Sequence, residues 1–168
     1  ILWDNGRKVH LWCGGLHNRD FSKHVKSLDQ KYKDWIINID NISDDDKWDL
    51  FAAGDIYSMV SKTDSFGIVY LEAWAYKLPV LACNNNAIKE VINNGVDGFL
   101  FDFNDINGVS NKIGLLLRVR RLRDKIGSNG RKKVEKKYNW NDNLKKLNSV
   151  YENFDNWTWM FFWVEWIL

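Results

Sequence analysis

The segment Thr63-Asp64-Ser65-Phe66-Gly67-Ile68-Val69-Tyr70-Leu71-Glu72-Ala73-Trp74, followed by Pro79-Val80-Leu81-Ala82-Cys83, carries the strongest structural signal in the chain. Capping-type residues precede a helix predicted over residues 66–76. Pro79 then introduces a short apolar strand over residues 80–83, where a missing N–H group is tolerable. A strand is also predicted before this helix, at residues 55–60, and strands separated by a helix of this length imply a βαβ unit and a parallel sheet.

The same alternation of strand and helix continues on both sides of this segment. It predicts an α/β protein with a Rossmann-like open parallel sheet and helices on both faces. The other predicted strands are residues 9–13, 35–39, 55–60 and 98–101, and the other predicted helices are residues 21–33, 44–53, 87–93 and 106–154, the last with breaks near residues 127–130 and at Asn139.

Composition excludes several classes of protein. The 168 residues are 45% hydrophobic and 27% charged, which is typical of a soluble globular domain. A net charge of only +2 gives no basic field, so nucleic acid is not an expected partner. The spacing of His10, His17 and His24 across three predicted elements argues against a metal site. Cys13 and Cys83 each end an apolar run, which predicts buried strand-end thiols and a reducing cytoplasm.

Ligands of open parallel sheets bind where strands end and helices begin. Three such loops stand out: Gly14-Gly15, residues 61–67, and Asn84-Asn85-Asn86. The middle loop is the richest, because the helix after it presents unpaired backbone N–H groups and the positive end of its dipole, which suits a diphosphate. Gly67 lacks a Cβ atom and lets an anion approach the backbone.

Two carboxylates accompany this helix start. Asp64 precedes it and Glu72 lies within it, so helical rise would place them roughly 12 Å apart along the axis. That spacing suits hydroxyl groups on either side of a diphosphate better than acid/base work on one bond. The structural alternative is that Asp64 is an N-cap and Glu72 a solvated residue on the helix face.

The segment 61–74 resembles the donor-binding signature of glycosyltransferase family 4: an acidic residue, then Ser-Phe-Gly, then a glutamate eight residues after the first acid. The similarity continues through Glu90-Val91-Ile92 and residues 94–100. The resemblance implies a retaining, metal-independent enzyme of the GT-B fold that uses a nucleotide-sugar donor. It therefore implies no cofactor beyond that substrate, and it covers about residues 1–154.

The resemblance also implies roles for individual residues. Asp64 and Glu72 would be the catalytic-site carboxylates, the first facing the donor sugar hydroxyls and the second binding the ribose hydroxyls. Gly67 and Ile68 would offer backbone N–H groups to the diphosphate.

Further donor contacts are implied at the edges of the signature. Ser65 and Phe66 belong to the same donor-binding loop, and Gly14 and Gly15 would form a close-approach loop after the first strand. The nucleobase would lie near residues 39–42. Trp74 is expected to pack in the core rather than to stack on a ligand.

The sequence departs from the family pattern at three places. Asp64 stands where the family usually has glutamate, which shortens the reach by one methylene. Asn84-Asn85-Asn86 replaces a loop usually richer in glycine, although asparagine tolerates left-handed backbone angles. The first strand of the domain, a basic pair that usually grips the diphosphate, and the N-terminal acceptor-binding domain are expected upstream of Ile1.

Two features toward the end of the chain remain open to more than one interpretation. Basic clusters at residues 118–123 and 131–137 indicate a solvated helix face or, alternatively, peripheral contact with an anionic membrane. Residues 155–168 form an aromatic tail, predicted as separate from a domain over residues 1–154. At twelve strongly apolar residues, 157–168 are too few for the roughly 20 needed to span a bilayer. This stretch would dock on another domain, anchor at an interface or be a non-native extension.

These observations predict the donor-binding part of a cytoplasmic glycosyltransferase that transfers a sugar to an acceptor hydroxyl with retention and is inactive alone. The alternative is a non-catalytic half that binds a nucleotide or docks on a partner. A dinucleotide-dependent dehydrogenase is disfavoured, because no Gly-x-Gly-x-x-Gly follows the first strand.

Overall fold

The computed structural model describes residues 1–15 and 19–164, with side chains described up to residue 153. Strands and helices alternate through the first two thirds of the chain, and three helices follow. The strands are β1 (Leu11–Gly15), β2 (Ile36–Asp40), β3 (Tyr57–Met59), β4 (Val80–Cys83) and β5 (Gly98–Phe101). The helices are α1 (Arg19–Ser27), α2 (Gln30–Lys33), α3 (Asp44–Ala53), α4 (Ile68–Ala75), α5 (Asn86–Val91), α6 (Ile106–Arg118), α7 (Arg120–Lys137) and α8 (Trp140–Val164).

All strand pairing in the described part of the chain is parallel. β1 pairs with β2, and β4 lies between β3 and β5. In the second sheet Val80 is opposite Tyr57 on one side and Gly98 on the other. The predicted parallel α/β fold is confirmed, and the described strands form it as two sheets of two and three strands.

The core is built around β4, whose four residues are all buried. Leu81 of this strand packs in one cluster with Phe99, Leu116 and Ile126. Trp74 of α4 is fully buried, and its Nε1 donates to the carbonyl oxygen of Asp97 at 2.8 Å. The prediction that Trp74 packs in the core is therefore confirmed.

The predicted helix break near residues 127–130 is wrong, because α7 continues through both glycines. These glycines allow close packing. A Cβ atom at Gly127 would lie 1.7 Å from the carbonyl oxygen of Lys77, and one at Gly130 would lie 2.0 Å from Cδ1 of Trp74. Glycine here lets α7 approach the end of α4, which a helix-propensity scale cannot foresee. The break predicted at Asn139 is confirmed.

Smaller differences have local causes. β1 begins at Leu11 rather than at residue 9, so Cys13 lies inside the strand and is half-buried, whereas Cys83 is buried at the end of β4. The helix predicted over residues 21–33 divides at Asp29, whose ψ of 142° is not helical. α4 begins at Ile68, two residues later than predicted, because Gly67 adopts a left-handed conformation.

The chain divides into two compact units, Ile1–Arg131 and Lys132–Leu168. Within the second unit α8 carries exposed apolar side chains at Trp140, Leu147 and Tyr151. The backbone of α8 passes through the predicted boundary at residues 154 and 155, and the separate tail stays a prediction. Among the described residues no helix has the length and apolar content needed to cross a membrane.

Candidate functional site

A cleft of about 700 Å³ lies at the carboxyl ends of β3 and β4. It is formed by the loop between β3 and α4 together with the start of α5, two of the three loops that the sequence singled out. Predicted site residues Asp64 and Ser65 both face it. Its lining residues are Lys62, Thr63, Asp64, Ser65, Asn85, Asn86 and Ala87.

The Asp64 carboxylate closes the loop that precedes α4. Its Oδ1 accepts hydrogen bonds from the backbone N–H groups of Phe66, at 3.1 Å, and Gly67, at 2.8 Å. Asp64 therefore supports the loop backbone, as a capping carboxylate does, while Gly67 itself holds the N-cap position. The predicted separation of roughly 12 Å between the two carboxylates assumes that both lie along one helix. It does not apply, because α4 begins only at Ile68 and Asp64 lies in the loop before it.

Gly67 is required by the geometry of this turn. Its φ of 75° is in the left-handed region, and a Cβ atom would lie 2.4 Å from Cδ2 of Tyr70 and 2.9 Å from Cδ1 of Ile88. The side chains on either side, Phe66 and Ile68, are 43% and 64% exposed. Gly67 therefore sets the backbone conformation at the end of the loop, and Ile68 begins the first turn of α4, in which the Tyr70 N–H donates to the Gly67 carbonyl oxygen at 2.9 Å.

Glu72 lies one helical turn after Ile68, on the same face of α4. It is not a solvated surface residue, because its side chain is only 20% exposed and pairs with Lys47 of α3. Lys47 Nζ donates to Glu72 Oε1 at 3.1 Å. The hydrogen bond and negative charge of Glu72 raise the pKa of Lys47 above its ordinary value, so the ammonium form is favoured.

Two tyrosines support this end of the sheet. The Tyr70 hydroxyl donates to the carbonyl oxygen of Met59 at 2.6 Å and joins α4 to the end of β3. Burial, and after it the negative charges of Glu72 and Asp64, together raise the pKa of Tyr57 to about 12. Both predicted carboxylates thus act on the same phenol, which shows that the fold brings them to one region.

Gly14 and Gly15 are the last residues of β1, not a loop after it. A Cβ atom at Gly14 would lie 2.8 Å from Cδ1 of Ile42, so this glycine is explained by packing. Gly15 has open space beside it, and its carbonyl oxygen accepts from the Asn41 N–H at 2.7 Å. The loop that follows lies outside the described residues. The placement of a nucleobase near residues 39–42 stays a prediction.

The asparagines after β4 support the cleft by hydrogen bonding. Asn85 caps α5 by accepting from the Ile88 N–H at 2.9 Å, and Asn84 Nδ2 donates to Asp102 Oδ1 at 3.3 Å. None of the three has a positive φ. Asparagine therefore serves here as a cap and side-chain donor, and not for its tolerance of left-handed angles.

Sequence reasoning missed Lys47. It lies 25 positions before Glu72, in the first turn of another helix, where a lysine among acids is read as a surface charge. Only the packing of α3 against α4 reveals its partner. Among the side chains that the structure describes, in residues 1–15 and 19–153, no group of three or more His, Cys, Asp or Glu residues could hold a metal ion.

The parallel βαβ order, the buried central strand and the cleft at the strand ends define a Rossmann-like α/β domain. The family model for group 1 glycosyl transferases matches residues 2–133, which is most of the chain. The chain belongs to this family, and the resemblance to glycosyltransferases is confirmed.

Relatives and solved structures agree with that assignment. Sulfoquinovosyl transferase SQD2 of Arabidopsis thaliana is 33% identical over 112 residues, or 65% of this chain and 22% of that protein. The capsular polysaccharide biosynthesis glycosyltransferase CapM of Staphylococcus aureus is 32% identical over 100 residues, or 60% of this chain and 26% of that protein. The chain thus spans about a quarter of the length of these curated relatives.

Two solved structures show the fold. The C-terminal domain of a glycosyl transferase group 1 family protein (LpcC) from Francisella tularensis is 31% identical with a TM-score of 0.65, over 73% of this chain and 64% of that one. Anabaena Alr3699/HepE in complex with UDP is 20% identical with a TM-score of 0.75, over 86% of this chain and 41% of that one. The architecture is that of the C-terminal half of GT-B glycosyltransferases.

Proposed function

We propose that this chain is the donor-binding part of a retaining glycosyltransferase, and that a nucleoside-diphosphate sugar binds across the cleft and the N-terminal end of α4. The observation that carries the proposal is the arrangement on α4. Its first turn, at Ile68, and the largely buried Glu72 lie on one face of the helix, and the loop that leads into this helix lines the cleft through Asp64 and Ser65.

The diphosphate is assigned to the N-terminal turn of α4, where N–H groups and the helix dipole favour negative charge. The Gly67 N–H already donates to Asp64, so a diphosphate either competes with that bond or uses the N–H groups of the next residues. Stabilising the departing diphosphate electrostatically is the main catalytic contribution of this half. Glu72 is assigned to the ribose hydroxyls and Asp64 to the sugar hydroxyls.

The relatives support a nucleotide donor, since the HepE structures hold UDP and UDP-glucose. The acceptor site is proposed to lie in a part of the enzyme outside this chain, because the chain spans only part of its relatives. Alone, the chain is expected to bind donor weakly and to transfer nothing. The enzyme is proposed to act in the cytoplasm, with contact to the membrane surface as a further proposal.

Calorimetric titration of the chain with UDP, GDP and ADP tests donor binding, and Glu72→Ala tests the assigned residue. Hydrogen bonds to a charged group contribute about 1.5–3 kcal/mol, so the variant should bind about tenfold to over a hundredfold more weakly. Asp124→Ala, which removes an exposed carboxylate from α7, is the matched control. Equal affinity of the parent and Glu72→Ala would refute the assignment.

Metal independence is tested in the same titration. A chelator should leave the nucleotide dissociation constant unchanged, because the helix terminus and not a cation is proposed to neutralise the diphosphate. A loss of binding on chelation that Mg²⁺ restores would contradict this.

A further inference from the structure

Lys47 and Glu72 form an ion pair that joins α3 to α4 beside the proposed donor site. Their side chains are 30% and 20% exposed, so both are largely withdrawn from water. Lys47 Nζ lies 3.1 Å from Glu72 Oε1, 3.6 Å from Asp44 Oδ1 and 4.2 Å from the centre of the Trp48 ring. Three contacts hold the ammonium group in one place.

An aromatic stack fixes the two helices beneath this pair. Trp48 stacks on Tyr76 with ring centres 6.3 Å apart and planes 17° apart. Phe51, which is 7% exposed, stacks on the same Tyr76 at 6.0 Å. Tyr76 follows α4 directly, four residues after Glu72, and Phe51 lies four residues after Lys47. The two charged groups therefore project from helices whose spacing is set by ring packing.

We propose that Lys47 is a positioning residue for Glu72: it holds Oε1 and leaves the second carboxylate oxygen to accept hydrogen bonds from a nucleotide ribose. This rests on the proposed function, and it names the group that prepares the site. A carboxylate has about four acceptor positions, so one bond to Lys47 leaves capacity for two hydroxyls. A side chain already fixed loses less rotamer freedom when ligand binds.

A purely electrostatic role makes a different prediction. A cation beside Glu72 also offsets repulsion between this carboxylate and the diphosphate, whatever sugar the nucleotide carries. That effect would weaken binding of ribonucleotide and dideoxynucleotide equally when Lys47 is neutralised. Positioning acts only through the ribose hydroxyls, so the two roles can be separated by the ligand.

The experiment compares the parent chain with Lys47→Met by calorimetry. Two ligands are used. The first is the nucleotide among UDP, GDP and ADP that binds the parent chain, and the second is the 2′,3′-dideoxy analogue of that nucleotide. Lys125→Met, on the exposed surface of α7, is the matched control. Lys47→Arg is the rescue variant, because a guanidinium can still donate to the carboxylate. Thermal melts establish that each variant is folded.

Positioning predicts that Lys47→Met weakens ribonucleotide binding by about threefold to tenfold, the effect of freeing one side chain. It also predicts a change below about twofold for the dideoxynucleotide, restoration by Lys47→Arg, and no further loss when Lys47→Met is added to Glu72→Ala. Unchanged or tighter ribonucleotide binding overturns the proposal, as does an equal loss for both ligands. If the parent binds no nucleotide, the donor site itself fails, which is a distinct result.

Discussion

Replacing Gly127 by alanine tests the packing of α7 on the end of α4. On propensity alone the change should stabilise the chain, because alanine is about 0.8–1.0 kcal/mol more favourable than glycine inside a helix. The structure predicts the opposite sign. A Cβ atom at this position would lie 1.7 Å from the carbonyl oxygen of Lys77 and 2.5 Å from its carbonyl carbon.

The size of the expected loss of stability depends on which part of the backbone must move to make room for the new Cβ atom. Cβ atoms rarely come within 3.0 Å of another heavy atom, so α7 or the Lys77 peptide must shift by about 1.3 Å to reach that spacing. The obstacle is backbone, which cannot rotate away as a side chain can, and the neighbouring Ile126 is 1% exposed. Overpacking of this kind costs about 1–3 kcal/mol or more. Because the obstacle is backbone, we take the upper end of this range, about 3 kcal/mol, and after a gain of about 1 kcal/mol in propensity we expect a net loss of about 2 kcal/mol.

Gly114→Ala is the matched control. Gly114 also lies inside a helix, but the nearest atom to its Cβ position is Cδ2 of Leu2 at 3.6 Å, an ordinary contact. This variant should gain about 0.5–1 kcal/mol. Thermal unfolding followed by circular dichroism should show a midpoint about 4–8 °C lower for Gly127→Ala and slightly higher for Gly114→Ala. A Gly127→Ala protein as stable as its parent would refute the close approach of these two segments.

Three further predictions concern the residues around the cleft. Asp64→Ala should lower stability by about 1 kcal/mol in urea titration, because the N–H groups of Gly67 and its neighbour lose their acceptor, whereas Asp64→Asn should lose less. Tyr70→Phe should cost about 1–3 kcal/mol, since the Met59 carbonyl loses its donor. Tyr57, with a pKa raised from 10.0 to about 12, keeps its proton in the folded state while the unfolded chain loses it. Stability should therefore fall between these pH values, and Tyr57→Phe should flatten the decline.

The elements that the sequence predicted to the residue are those with clear boundaries. α3 is bounded by Ser43, which caps it by accepting from the Asp46 N–H, and by Gly54. β4 is an apolar run opened by Pro79. Local chemistry suffices in such cases because the residues that begin and end the element act within one turn of it.

Other features depend on residues distant in the sequence. Judged by helix propensity alone, the glycines inside α7 predict a break in the helix. The reason for glycine at position 127 is a close contact with Lys77, which belongs to another segment of the chain. The sequence position of Asp64 is the same whether its carboxylate faces a ligand or accepts hydrogen bonds from its own loop. The sequence alone therefore does not distinguish these two roles. Likewise, the partner of Glu72 follows only from the packing of α3 on α4.

The motif around Asp64 nevertheless predicts the position of the cleft from the sequence. It does so because the loop is defined by residue types with strict backbone requirements, above all Gly67 at a φ of 75°. Sequence reasoning therefore found the place of the candidate site but not the contacts within it.

The pairing of strands also has a consequence for how the chain folds. Each parallel pair joins strands that are consecutive along the chain: β1 with β2, β3 with β4, and β4 with β5. Closing a short loop loses less entropy than closing a long one, and topologies rich in such nearby pairings fold faster. Each of these pairings therefore joins two strands that are synthesised one after the other, so the entropy lost in closing the intervening segment is that of a short loop.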